Sequence, residues 1–144
     1  MRRSAAGGYA AKYGSGNAVD PVLRDTLLKK SSGGQLPCAL AFQVAKELGV
    51  SPNAVGRAAD LLELRIVKCQ LGLFGYHPEK KIVKPAVSVG PDLEEAIRAG
   101  LVDERLPCTT AWDISRRLGL RKMRVSAACE AMGIKIKPCQ LGAF

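Results

Sequence analysis

Aromatic side chains are scarce in this chain, at 5% of its residues, and there is a single histidine. A core with so little Phe, Trp and Tyr must be built from Leu, Val, Ile and Ala, which suits short packed helices. Long apolar runs are missing too. No window approaches the roughly 18 apolar residues that a bilayer-spanning helix needs, so no membrane partner is expected. Met1-Arg2-Arg3 is followed by Ala5-Ala6-Gly7-Gly8, where an export signal would carry an apolar stretch, and this predicts a cytoplasmic protein. The five cysteines are odd in number and widely spaced, which argues against a disulfide scaffold. A glycine loop for phosphate, a nucleophile elbow and a Cys–His pairing present in both halves are all lacking, and no enzyme is expected. Acidic residues are the minority charge, 13 against 22 basic ones. The net charge is +9 and the pI about 9.6. A polyanion is therefore the first partner to consider, and a merely soluble basic domain the plainer alternative.

What the chain does contain is one unit written twice. Residues 21–74 recur as 91–144 without a gap, at an offset of 70 positions. Matching pairs include Leu36/Leu106, Pro37/Pro107, Cys38/Cys108, Leu48/Leu118, Gly49/Gly119, Val55/Val125 and Ile66/Ile136. The tails Cys69-Gln70-Leu71-Gly72 and Cys139-Gln140-Leu141-Gly142 are identical. A unit this short is near the lower limit for folding alone, so the copies are expected to pack on each other as a pseudo-dimer. The division that follows is a flexible, basic, Gly/Ala-rich arm at 1–20, a first repeat at 21–87 and a second at 88–144.

Local signals predict the same elements in each copy. Asp20-Pro21 is a cap followed by a proline at the first helical position, and Gly90-Pro91 opens the equivalent helix. A second helix is predicted at Cys38–Leu48, stopped by Gly49, and a third after Ser51-Pro52. Leu64–Lys68 alternates and is rich in β-branched residues, so it reads as a strand. Lys81-Ile82-Val83 reads as a return strand, and Ile134–Lys137 as the second copy's strand. Their pairing, with each other or with 81–87, stays open. The expected fold is mainly α with short β-strands.

Helix, tight glycine turn, helix: at these positions each unit resembles the helix-turn-helix DNA-binding superfamily of the winged-helix kind, in tandem duplicate. The resemblance rests on Val44, Ala45, Leu48, Gly49, Val50, Val55 and Ala58 in one copy. In the other it rests on Ile114, Ser115, Leu118, Gly119, Leu120, Val125 and Ala128, with Ser115 in place of the usual Ala. The small residue lets the helices approach, the glycine makes the turn, and the apolar anchors fix the angle of the second helix. The resemblance implies double-stranded DNA as partner, with the solvent-facing start of each third helix as the contact. Those residues are Ser51, Asn53, Gly56 and Arg57 in copy one, and Arg121, Lys122, Arg124 and Ser126 in copy two. Arg116 and Arg117 extend the second set into a basic run without an acidic residue. Lys135 and Lys137, with Arg65 and Lys68 in copy one and Lys80, Lys81 and Lys84 after the turn, are the expected phosphate contacts of a wing. Regulation of transcription is the implied role.

The cysteines leave alternatives open. Cys38 and Cys69 are 31 positions apart, as are Cys108 and Cys139. Pseudo-twofold packing could gather this quartet to hold zinc or an iron–sulfur cluster, as in a metal or redox sensor. The competing expectation is buried cysteines that pack as small apolar groups and no cofactor. Cys129 and Trp112 are expected in the core, and His77 in a loop. A protein-interaction or scaffold module is the remaining alternative, with a protein partner or a second copy of the chain docking on the duplicated surface.

Overall fold

A computed structural model of the protein describes residues 19–143. All but the last two residues of the arm expected at 1–20 lie outside the described residues. Among the described residues the chain is mainly helical, with one small two-stranded parallel sheet. It divides into two units, Met1–Cys69 with Gln140–Phe144, and Gln70–Cys139.

The first unit holds α1 (Pro21–Lys30), β1 (Gln35–Pro37), α2 (Cys38–Leu48), α3 (Pro52–Leu61) and β2 (Arg65–Val67). Asp20 starts α1 by accepting the N–H groups of Val22 and Leu23 at 3.1 and 3.2 Å. Ser51 caps α3 by accepting the N–H of Ala54 at 3.1 Å. Both caps are followed by a proline whose missing N–H costs nothing in the first turn. Between α2 and α3 the chain turns at Gly49, in the left-handed region at φ 65°. A side chain at that φ costs about 1–2 kcal/mol. Leu27, Leu36, Ala41, Val44, Val55 and Ala59 form a core with no exposed surface.

The second unit repeats this with α4 (Pro91–Ala99), α5 (Cys108–Leu118) and α6 (Lys122–Met132), and Gly119 turns at φ 65°. Its core is the counterpart set Ile97, Leu106, Ala111, Ile114, Val125 and Cys129. Ser115, which departs from the expected Ala, is buried and donates its hydroxyl proton to the carbonyl of Leu120 at 2.5 Å. The same turn that a small apolar residue would permit is thereby tied by a hydrogen bond.

The β structure differs from the expectation in three ways. β2 pairs in parallel with β1 of its own repeat, Leu36 opposite Ile66. Lys81-Ile82-Val83 is not a strand. The N–H groups of Ile82 and Val83 both go to the carbonyl of Gly72, and that of Ala86 to the carbonyl of Ala127. The segment thus lies along α6 as a strap, and no β-hairpin wing forms among the described residues. Ile134–Lys137 is not a strand either. It makes a single parallel bridge, Leu106 to Ile136, before Pro138, which has no N–H to continue a ladder. β2 itself stops because Lys68 takes a left-handed φ of 52°.

The units do not follow the repeat boundaries. The tail of repeat two, from Gln140, belongs to the first unit, and Gln70-Leu71-Gly72 of repeat one belongs to the second. In the first unit the carbonyl of Leu141 lies where a Cβ on Gly56 would come within 1.8 Å of its oxygen. In the second, the equivalent helix position is Ser126, whose hydroxyl donates to the carbonyl of Leu71 at 2.6 Å. Each CQLG tail therefore packs on the third helix of the other repeat. One tail carbonyl is admitted by a missing side chain, the other is held by a hydroxyl.

Candidate nucleic-acid interface

In the second unit the basic run from Arg116 to Arg124 divides into three environments. Arg116 and Arg117 stand in the last turn of α5, and both pair with Asp113, Arg117 Nε at 2.9 Å from its Oδ2. The acidic partner one turn earlier partly compensates a charge that looks uncompensated along the chain. Lys122 places its ammonium 4.5 Å from the centroid of the Trp112 ring, a cation–π contact. Trp112 is half-buried beneath it, rather than the core residue expected. Arg121 and Arg124 are exposed, and among the described residues no acidic side chain pairs with either.

These three cations crowd the positive end of α6. The helix has no side-chain cap and no acidic residue in its first turn. The macrodipole favours anions at that end, so the sequence there works against the stability of its own helix. Lys135 and Lys137 are exposed as expected, on the segment of the Leu106–Ile136 bridge.

Two of the expected solvent-facing positions are corrected. Ser126 has no exposed surface, because it is the anchor for Leu71. Gly56 is buried against Leu141 for the equivalent reason. Neither can face a ligand. In the first unit Ser51, Asn53 and Arg57 are exposed, although the Ser51 hydroxyl oxygen is occupied as the cap of α3.

The rest of α6 is largely covered by its own unit. Val125, Ala128 and Cys129 face the core, and Ser126 faces the tail. The strap lies along the side of Met123, Ala127 and Glu130. Ala86 bonds to the Ala127 backbone, and Lys81 pairs with Glu130. What remains open is the N-terminal turn, bordered by a groove of about 510 Å³ between the strap and α6. Ile82, Val83, Leu120, Met123 and Ala127 supply its apolar wall. Lys84, Arg121 and Arg124 supply its charge. Sequence reasoning missed this groove. The available signal was Met123 and Ala127, apolar residues one turn apart on a face assigned to solvent.

All five cysteines are thiols, with Cys139 half-buried and the others buried. Among the described residues no three Cys, His, Asp or Glu side chains come together as a group able to hold a metal ion. Cys129 sits in the core as expected. Burial, and secondarily the charge of Glu130, pushes its thiol up to about 12 from a usual 9.0. No helix among the described residues is long and apolar enough to cross a membrane.

Comparison of the chain with protein-family models, with curated proteins and with solved structures gave no match.

Proposed function

We propose that this protein binds double-stranded DNA through two tandem helix-turn-helix units and acts as a regulator of transcription. The observation that carries the reading is the crowding of Arg121, Lys122 and Arg124 at the uncapped, positive end of α6, directly after the left-handed turn at Gly119. A helix end that repels its own side chains is relieved by a polyanion. A phosphate backbone meeting that end would gain the dipole, two exposed guanidinium groups and an ammonium together.

The two units then divide the work. Because the strap covers one flank of α6, that helix meets DNA by its first turn and contributes affinity through phosphates. α3 presents Asn53 and Arg57, whose side chains match adenine and guanine edges in the major groove, and contributes selectivity. Arg116 and Arg117, shared with Asp113, add less than their number suggests.

The test is fluorescence anisotropy with random-sequence duplex DNA over a salt series. The native chain is expected to bind with a salt dependence equivalent to about four or more phosphate contacts. Arg121→Ala with Arg124→Ala is expected to weaken binding and to lower the slope of log K against log salt by roughly two. Asn53→Ala with Arg57→Ala should lower the slope by about one and flatten any preference among selected sites. Absence of binding at low salt, or an unchanged slope in the Arg121/Arg124 variant, would overturn the reading.

A further inference from the structure

The groove beside α6 has a feature that DNA does not use. Phosphates can occupy the cations at its mouth, but they leave the wall of Ile82, Val83, Leu120, Met123 and Ala127 in water. A volume of about 510 Å³ lies within the range of small-molecule sites. Among the described residues no acidic side chain lines it. Of the carboxylates nearby, Glu79 lies 3.8 Å from Lys84 in a pair exposed on both sides, a weak competitor, and Glu130 is engaged by Lys81.

We infer that this groove is a binding site for a small amphipathic anion, an organic phosphate or carboxylate with an apolar body. The apolar body lies along the strap and the α6 wall, and the anionic group lies between Arg121 and Arg124 at the helix end. Two independent features select this class. The apolar wall excludes a fully hydrated ion, which gains nothing from it. The unpaired guanidinium groups one turn apart exclude a neutral apolar molecule as the best fit, since they would stay uncompensated beside it. The site does not require the DNA reading to be correct. If both hold, the ligand and DNA compete for Arg121 and Arg124, and the ligand acts as an effector.

The experiment is a titration of the full chain, without DNA, followed by amide shifts in two-dimensional NMR. Four probes are compared below their aggregation limits: octyl phosphate, octanoate, octanol and inorganic phosphate. Octyl phosphate or octanoate should saturate at one molecule per chain, with shifts gathered at residues 82–84 and 119–127. Octanol and inorganic phosphate should each bind at least about tenfold more weakly. Arg121→Gln with Arg124→Gln, both at exposed positions, should reduce the affinity for the two anions to that for octanol. Ala127→Trp, which fills the groove, should abolish anion binding while DNA affinity in the anisotropy assay stays within about twofold. Equal binding of octanol and octyl phosphate, shifts centred elsewhere, or no saturable binding would overturn the inference. The NMR outcomes do not bear on whether the chain binds DNA, which the salt series reads separately.

Discussion

Cys129 shows how far one residue's behaviour follows from its place. Its counterpart in the first repeat is Ala59, so the position needs only a small apolar group, and both are buried. The thiol is held protonated up to about 12 by burial, with the charge of Glu130 acting in the same direction. In the unfolded chain the same thiol ionises near its usual 9.0. The folded state therefore binds the proton more tightly, and the stabilisation is complete below pH 9 and lost as pH rises toward 12. Urea unfolding across that window should show stability falling by up to about 1.4 kcal/mol per pH unit from this group. Cys129→Ala should remove that component and leave the rest of the alkaline profile. An identical slope in the variant would count against a buried neutral thiol. Arg116 and Arg117 show the opposite relation, since their charge is legible in sequence but their sharing of Asp113 depends on helical spacing.

Among the elements, the third helices differ most from what their sequences display. Asn53 and Met123, Arg57 and Ala127, Gly56 and Ser126 are matched pairs with different surroundings. The first unit's α3 needs glycine at 56 because the Leu141 carbonyl occupies the space a Cβ would take. Gly56→Ala should therefore destabilise the first unit by about 1–3 kcal/mol, as overpacking against backbone does. This would be unusual, because alanine normally strengthens a helix interior relative to glycine. Thermal or chemical denaturation decides it: a neutral or stabilising Gly56→Ala would mean that the tail does not press on α3. The helix boundaries were legible in advance from Asp20, Ser51, the prolines after them, and Gly49. Of the strands, β2 was legible in the β-branched run Leu64–Lys68, whereas Lys81-Ile82-Val83 carries a β-like sequence while the N–H groups of Ile82 and Val83 are claimed by Gly72.

At the scale of the whole molecule, each CQLG tail belongs by sequence to one repeat and by packing to the third helix of the other. The carbonyl of Leu141 meets α3, and that of Leu71 meets α6. Removing Gln140–Phe144 should thus act on the first unit although the deleted residues belong to the second repeat. Hydrogen exchange is expected to accelerate in α3 more than in α6 after that truncation. Greater loss of protection in α5 and α6 would mean that each repeat folds with its own tail.

The duplication, the helix starts and stops, the apolar core positions and the excess of positive charge are properties of the sequence alone. Each follows from short-range chemistry: a cap, a proline, a glycine at positive φ, or an apolar period of a helix. The parallel β1–β2 pairing, the strap on α6, the exchange of tails and the sharing of Asp113 were decided only in three dimensions. In each case a backbone or side-chain group had several partners of suitable type, and distance in the folded chain selected one. Ser126 marks that boundary. The chain presents it as a polar residue on a helix facing solvent, and packing turns it into the buried clasp of a distant tail.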